Sequence, residues 1–248
     1  MSFDLQRLAV ASLIFLVIVT APVRGQKTGA LEDDFNYSEL VGKAYGLDQE
    51  LVNGVQYYNR YRASLGHPYF LGDMFQMGSA TIRGRNYSDV KLKYDLFSQH
   101  LEVEYQDFSG GEKQIILVTD WVQAFLIGQH QFQKLNLEED QNKYYQVIKM
   151  DCFTCYVHWS KERIPLKGST THSGEFAEAK RTLFLEMDRN IKGFKKRKQF
   201  VSLFPVERQK QIKRYMKKIG FQIRNATPDE MILHMNAVCN YLNDGGPP

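Results

Sequence analysis

From residue 101 to residue 118 the sequence reads LEVEYQDFSGGEKQIILV, which is two apolar-rich runs joined by a Gly-Gly turn. In the first run apolar residues alternate with Glu102 and Glu104, as in a strand that has one face on a core and the other in water. The second run is rich in β-branched and aliphatic residues. The stretch therefore predicts an antiparallel hairpin, with both glutamates on its solvated face.

Similar short runs continue on both sides of this hairpin, and the chain is rich in Tyr and Phe, which suit half-buried strands. The runs at 79–83 and 90–94 flank a turn at 84–86 and extend the hairpin to a four-stranded meander. A sheet with many strands tends to curl. We therefore expect an α+β fold, with a curved antiparallel β-sheet or open barrel-like meander over residues 66–190. Further strands are predicted at 122–127, 131–135, 144–150, 152–159 and 182–187.

Helices are predicted on either side of the sheet. Residues 26–65 form a leader with short helices that begin near Ser38 and Asp48, where acidic residues precede apolar ones. Residues 191–248 form a basic helical tail packed on the same domain. Within the tail, Pro205 suits a helix start and Gly220 a helix end, while the segment at 227–230 reads Thr-Pro-Asp-Glu, a capping box with proline at the first helical position.

An apolar run at residues 8–23 follows Arg7 and ends in small residues. It predicts a signal peptide over residues 1–25, and an uncleaved membrane anchor is the alternative. After cleavage no later segment is apolar enough to span a bilayer. We expect an exported protein that is periplasmic, associated with the outer envelope or secreted.

The net charge of +4 is unevenly distributed. Twelve basic residues and one acidic residue lie between Lys192 and Arg224, whereas the region from Gln26 to Ile191 carries 18 basic and 23 acidic residues. Such a tail suits phosphate, acidic polysaccharide or anionic lipid headgroups, and an exported protein rarely meets nucleic acid. Because the charges interleave with an apolar helix face, we prefer a solvated cationic face to a specific anion site. The candidate anion or partner surface comprises Lys195, Lys196, Arg197, Lys198, Lys210, Lys213, Arg214, Lys217 and Lys218.

The chain has three cysteines, which are too few for a disulfide-built scaffold. Cys152 and Cys155 stand in a predicted strand, where residues three apart face opposite sides and cannot bridge each other. We prefer ordinary strand cysteines. A local or tertiary disulfide, with Cys239 as a candidate partner, is the second interpretation, and a metal or catalytic role is the third.

The sequence offers no nucleophile elbow, phosphate-binding loop, dinucleotide fingerprint or zinc-protease helix, so no catalytic residue, metal or cofactor is predicted. His67 precedes a proline and two aromatic residues and is expected to anchor the entry to the sheet. Five carboxylates could in principle supply a glycosidase pair, although spatial separation decides that chemistry. They are Asp95, Glu102, Glu104, Asp107 and Asp120.

Three segments resemble an uncharacterised group of secreted Bacteroidota proteins: residues 46–54 (GLDQELVNG), 66–70 (GHPYF) and 90–95 (VKLKYD). The similarity runs from about residue 45 to the C-terminus and includes Phe204-Pro205 and residues 239–241. The group carries no assigned activity. The resemblance therefore implies export and a bacterial envelope setting, and it transfers no catalytic residue.

These observations favour a non-catalytic binding or structural module of the envelope, for a protein, glycan or lipid partner. The alternative is a hydrolase that acts on glycan or lipid through carboxylates or His67 in a cleft of the sheet. A thiol redox protein would require Cys152 and Cys155 to lie close together and exposed. A carrier of an apolar ligand would require an empty apolar interior inside the sheet.

Overall fold

The computed structural model describes residues 49–107, 109–138, 141–221, 223 and 225–243. The predicted signal peptide, most of the predicted leader and the predicted helix start near Ser38 lie outside the described residues. The described residues form four α-helices and fourteen strands, with a short 3₁₀ turn at Thr119–Trp121. The helices are α1 (Gln49–Val52), α2 (Arg197–Ser202), α3 (Val206–Lys218) and α4 (Pro228–Asn243). The strands are β1 (Gly54–Gln56), β2 (Ser64–Leu65), β3 (Gln76–Ile82), β4 (Arg85–Asp95), β5 (His100–Gln106), β6 (Glu112–Leu117), β7 (Val122–Ile127), β8 (His130–Glu138), β9 (Gln141–Lys149), β10 (Thr154–Ser160), β11 (Arg163–Pro165), β12 (Gly174–Phe176), β13 (Lys180–Met187) and β14 (Asn190–Phe194).

Eleven of the described strands form one antiparallel sheet in the order β1-β6-β5-β4-β3-β7-β8-β9-β10-β13-β14. The predicted meander is confirmed, since β3, β4, β5 and β6 pair consecutively. β7 then pairs with the free side of β3. From there β8, β9, β10, β13 and β14 follow one another across the sheet. Strands β11, β12 and β2 form a separate small sheet. The predicted α+β class with an antiparallel sheet is therefore observed.

The sheet is open in its pairing, but its middle strands curl back on themselves. Five inter-strand steps separate β4 from β10, and a flat sheet would hold them roughly 24 Å apart. Yet the amide of Lys161, just after β10, donates to the carbonyl of Leu96, just after β4, at 3.1 Å. The side-chain amide of Gln99 also donates to the carbonyls of Leu96 and Trp159, at 2.6 and 3.0 Å. These bonds require strong curvature.

Aromatic side chains fill the inside of this curl. The ring of Tyr94 in β4 lies 5.1 Å from Phe125, 5.3 Å from Phe132 and 5.8 Å from Tyr144, which belong to three different strands. Tyr94 is fully buried, and its hydroxyl donates to Gln99 at 2.6 Å. The carrier hypothesis required an empty apolar interior, and these rings occupy that space.

The three C-terminal helices pack near the turn between β9 and β10. Phe200 of α2 contacts Phe153 in this turn and Phe194 at the end of β14. A disulfide joins Cys152 in the same turn to Cys239 of α4, with a Cα–Cα distance of 5.8 Å. The helices therefore belong to the same hydrophobic core as the sheet.

The bounds of the elements differ from the predicted ones at both ends of the sheet. β1 lies within the predicted helical leader, and β14 runs through Lys192 into the predicted helical tail. Only one helical turn, α1, is described in the leader region. Both extra strands are edge strands of the main sheet. Two of the three residues of β1 and four of the five residues of β14 are exposed, so their sequences lack the strong apolar alternation on which the prediction depended.

Within the described residues, no helix combines the length and the apolar character that crossing a bilayer requires.

Candidate functional site

A groove of about 930 Å³ lies between α2, α3 and the segment that connects α3 to α4. The side-chain amide oxygen of Gln199 accepts the backbone N–H groups of Lys195 and Lys196, which fixes the first turn of α2 beside the groove. α3 buries Ile212 and Met216 against the core and leaves its basic residues outside. The groove is therefore framed by elements that the core holds in place.

Cationic side chains form the rim of this groove. They are Lys196, Arg197 and Lys198 from the start of α2, with Lys210 and Lys213 from α3. All five are exposed. Within the part of the chain that the structure describes, no carboxylate comes within 4.0 Å of their charged nitrogens. The rim thus presents positive charge to an anionic ligand.

The floor of the groove is apolar. Val201, Phe221 and Ile223 are buried side chains whose surfaces line it. Val206, at the first position of α3, also lines the groove, but it is 77% exposed. A volume near the upper end of the range for small-molecule sites, with an apolar floor and a charged rim, suits an amphiphilic ligand.

The structure brings five of the nine predicted surface residues together at this groove. Lys195 precedes α2, and Arg214, Lys217 and Lys218 belong to α3, but none of these four lines the groove. The apolar floor was not predicted from the sequence. Its signal was faint, because Phe221 and Ile223 stand in a short connection after Gly220, a residue with a left-handed φ of 65° that ends the helix.

A second cluster of charged residues lies between β4 and β5. Lys93 stands opposite Glu102, and Asp95 stands opposite His100, in the register of the two strands. The four side chains share one sheet face, opposite to the core face that carries Tyr94. Glu102 is fully buried, and Asp95 and Lys93 are 2% and 7% exposed. The prediction that Glu102 lies on a solvated face is therefore wrong.

Residues 67–75, here called the strap, cover this cluster. The carbonyl of Pro68 accepts the amide of Leu96, and the amide of Phe70 donates to Tyr94, so the strap runs along the end of β4. The Lys93 ammonium lies 3.9 Å from the centre of the Tyr69 ring. Strand alternation cannot reveal such a cover, because the covering segment is not itself part of the alternating pattern.

His67 lies at the start of the strap. Its Nδ1 accepts the backbone N–H of Tyr69 at 3.2 Å, and its carbonyl accepts the Lys161 ammonium at 2.8 Å. Burial lowers the pKa of His67, and the nearby Lys161 ammonium lowers it further. These contacts agree with the predicted anchoring of the entry to the sheet.

The carboxylates that could have formed a hydrolase pair have other surroundings. Asp95 accepts the amides of Phe97 and Ser98 at 2.7 and 2.8 Å and so caps the turn between β4 and β5. Burial raises the pKa of Glu102, against the opposing effects of His100 and Lys93. Asp95 and Glu102 lie close together, but a substrate would have to displace the strap to reach them. Asp95 and Glu102 therefore do not form the accessible carboxylate pair that the hydrolase hypothesis requires.

The three remaining candidate carboxylates serve turns and surface ion pairs. Glu104 accepts a hydrogen bond from the Lys91 ammonium at 2.7 Å. Asp107 accepts the amides of Ser109 and Gly111, and the Ser109 side chain and these amides lower its pKa. Asp120 lies 3.3 Å from the ammonium of Lys134. None of these three arrangements places a second carboxylate across a cleft.

The preferred interpretation of the cysteines is wrong for two of them. Cys152 and Cys239 form the disulfide described above, which was the second interpretation, and neither lies in a strand. Cys155 alone is an ordinary buried strand cysteine, with a free thiol. Cys152 therefore has its partner in α4, and a redox pair of Cys152 and Cys155 is contradicted.

Comparison with known proteins finds no matching family model, no similar curated protein and no similar solved structure.

Proposed function

We propose that this protein is an exported, non-catalytic module that binds an anionic lipid in the groove between α2 and α3. The observation that carries the proposal is the combination of five exposed cationic side chains on the rim with an apolar floor. An acyl chain would lie along Val201, Val206 and Ile223, and its phosphate or carboxylate headgroup would meet the rim.

A lipid accounts for both halves of the groove. A glycan would leave the apolar floor without a matching surface, and a free phosphate would use only the rim. Protein partners offer amphipathic helices that can combine both properties, but the groove has the volume of a small-molecule site. We therefore commit to a lipid, with a peptide helix as the outcome that the experiment must separate.

Export is supported by the sequence and by the disulfide. The apolar run at residues 8–23 predicts a signal peptide. Disulfides such as Cys152–Cys239 persist in oxidising compartments and are rare in the cytosol. The resemblance to secreted Bacteroidota proteins favours a bacterial envelope as the location.

The proposal is tested by binding of single-chain phosphatidylglycerol, compared with the matching phosphatidylcholine, below the concentration at which either forms micelles. We expect saturable binding of the anionic lipid that weakens as salt is raised. Replacing Lys210 and Lys213 by Gln should weaken it about tenfold to thirtyfold, since each basic residue near an anionic surface contributes about 1 kcal/mol. Val206→Asp should weaken it as well, because it places a charge in the acyl-chain path.

The matched control removes the same charge from the same helix outside the groove, by replacing Arg214 and Lys217 with Gln. This variant should bind the lipid like the unmodified chain. An equal loss of lipid affinity in both double variants would show that the lipid is attracted by the charge of the whole tail, and it would refute binding in the groove. Native mass spectrometry of the protein purified gently from its host gives the second readout, and a co-purifying peptide in place of a lipid would also refute the proposal.

A further inference from the structure

Three metal-ligating side chains meet on the buried charged face of β4 and β5. His100 Nε2 lies 3.1 Å from Glu102 Oε1 and 3.8 Å from Asp95 Oδ2, and the three ligand atoms all lie within 4.8 Å of one another. Ligands of a tetrahedral zinc ion at about 2.1 Å stand roughly 3.4 Å apart. Small side-chain movements would therefore bring all three atoms onto one ion.

The arrangement follows from strand geometry. Asp95 and His100 are direct cross-strand partners, and Glu102 follows His100 by two residues, so it projects from the same face of β5. Paired β-strands fix the spacing of these side chains more tightly than a loop would.

Two buried carboxylates share one ammonium at this site. Asp95 and Glu102 are 2% and 0% exposed, and the Lys93 ammonium lies 3.9 Å from Glu102. The same ammonium lies 3.1 Å from Asp73, whose side chain is 68% exposed. A divalent cation held by Asp95 and Glu102 would supply positive charge where both carboxylates are withdrawn from water.

One buried oxygen gives an independent sign of an absent ligand. Glu102 Oε2 is fully buried and accepts no hydrogen bond. Buried carboxylate oxygens are almost always hydrogen-bonded or bound to a metal, because the desolvated charge is otherwise costly. The Lys93 ammonium, 3.9 Å from this oxygen, lies beyond hydrogen-bond distance, and the oxygen belongs to one of the three ligand side chains.

We propose that Asp95, His100 and Glu102 bind one divalent transition-metal ion of the zinc class. Imidazole with carboxylate oxygens is a ligand set that such ions accept. The ion would take the place of the hydrogen between His100 Nε2 and Glu102. Asp95 would bind through Oδ2 while its Oδ1 keeps the amides of Phe97 and Ser98, which orient the carboxylate. The sequence predicted no metal site, since these residues form no spaced motif.

Isothermal titration of ZnCl₂ into the untagged full chain, freed of metal by EDTA, tests the proposal at neutral pH. We expect saturable binding of one ion per chain. Glu102→Gln, which keeps the side-chain shape, and His100→Gln should each weaken binding at least about tenfold, in the range that loss of a supporting metal contact costs. Co²⁺ in place of Zn²⁺ should give visible absorption bands that both variants lose.

The matched controls are His172→Gln and Glu175→Gln, which replace the same residue types on the surface, away from the cluster. They should bind zinc like the unmodified chain. Absence of saturable binding, unchanged binding in Glu102→Gln, or equal loss in the surface controls would each overturn the proposal. Circular dichroism verifies the fold of every variant. If His100→Gln does not fold, Glu102→Gln decides alone.

Discussion

At the scale of single residues, a buried hydrogen-bonded chain fixes the protonation of His130. The indole N–H of Trp159 donates to Gln146 at 2.8 Å, and the amide of Gln146 lies 3.0 Å from His130 Nδ1. The Gln146 group that faces the ring is the side-chain NH₂, which can only donate, so His130 Nδ1 is the acceptor. The proton of the neutral ring therefore sits on Nε2, which lies 3.2 Å from Asp229 of α4. Burial lowers the pKa of His130, and Asp229 partly offsets this effect.

The lowered pKa of His130 in the native state predicts how stability depends on pH. Below the unfolded pKa of about 6.5 the unfolded state takes up a proton that the native ring resists, so the free energy of unfolding falls on acidification, by at most about 1.4 kcal/mol per pH unit for one proton. Asp229→Asn lowers the native pKa of His130 further. The variant should therefore lose more stability than the unmodified chain between neutral pH and pH about 5 in urea titrations.

A variant without the titrating ring provides the control. In the His130→Gln background, Asp229→Asn should shift stability by the same amount at every pH in this window. His67 and His234 also have pKa values lowered by burial and contribute with the same sign, so the comparison uses differences between variants. Parallel pH profiles of the unmodified chain and Asp229→Asn would contradict the assignment.

Sequence alternation predicted the strand that carries Glu102 but not the environment of its side chain. Alternation reports which residues share a face, and Glu102 does share a face with Glu104. Whether that face meets water depends on the strap, which reaches it from outside the strand pair. The groove shows the same division. Its cationic rim was predictable because charge density can be read from neighbouring residues in the sequence, whereas its apolar floor depends on tertiary packing.

At the scale of elements, α4 shows how much a local signal can specify. The hydroxyl of Thr227 accepts the amide of Glu230 at 3.2 Å, and the Glu230 carboxylate accepts the amide of Thr227 at 2.7 Å, as the capping box predicts. These hydrogen bonds lower the pKa of Glu230. The buried residues of α4 include Met235, Val238 and Cys239, which are three or four positions apart or adjacent, as on one helix face. All of these interactions lie within a few residues of one another.

Removing the cap should destabilise the protein measurably. Thr227→Ala deletes the oxygen that satisfies a free amide at the start of α4 and should lower the free energy of unfolding by about 1 kcal/mol, within a range of about 0.5–2 kcal/mol. Thr227→Ser keeps the oxygen and should remain close to the unmodified chain. Urea denaturation measures both, and equal destabilisation would show that the methyl group matters and the cap does not.

At the scale of the whole molecule, long-range pairing is what sequence reasoning could not supply. The consecutive hairpins follow from local turns, such as the one at Gly84, whose φ of 81° suits glycine. The pairing of β7 with the free side of β3 does not follow from a local turn, and nothing in the sequence of either strand identifies the other as its partner. The same holds for Cys152 and Cys239, which are 87 residues apart in sequence.

That disulfide should contribute strongly to stability. Closing a loop of 87 residues is expected to stabilise the fold by up to about 4–5 kcal/mol through the entropy of the unfolded chain. Replacing both Cys152 and Cys239 by Ala should remove most of this in urea denaturation. A reducing agent should destabilise the unmodified chain to a similar extent and leave the double variant unchanged.

Thiol counting checks the pairing directly. The denatured chain should show one reactive thiol before reduction, from Cys155, and three afterwards. Three thiols before reduction would contradict the disulfide.

The position of Cys155 bears on oxidative folding. While the chain is unfolded, its three cysteines allow three different pairings, and thiol–disulfide exchange can interconvert them. Once β10 is held between β9 and β13, Cys155 is sealed in the core, and burial raises the pKa of its thiol well above the usual range. Exchange needs a thiolate that can reach the bond. Formation of the sheet thus removes the competing nucleophile and protects the Cys152–Cys239 pairing from exchange with Cys155.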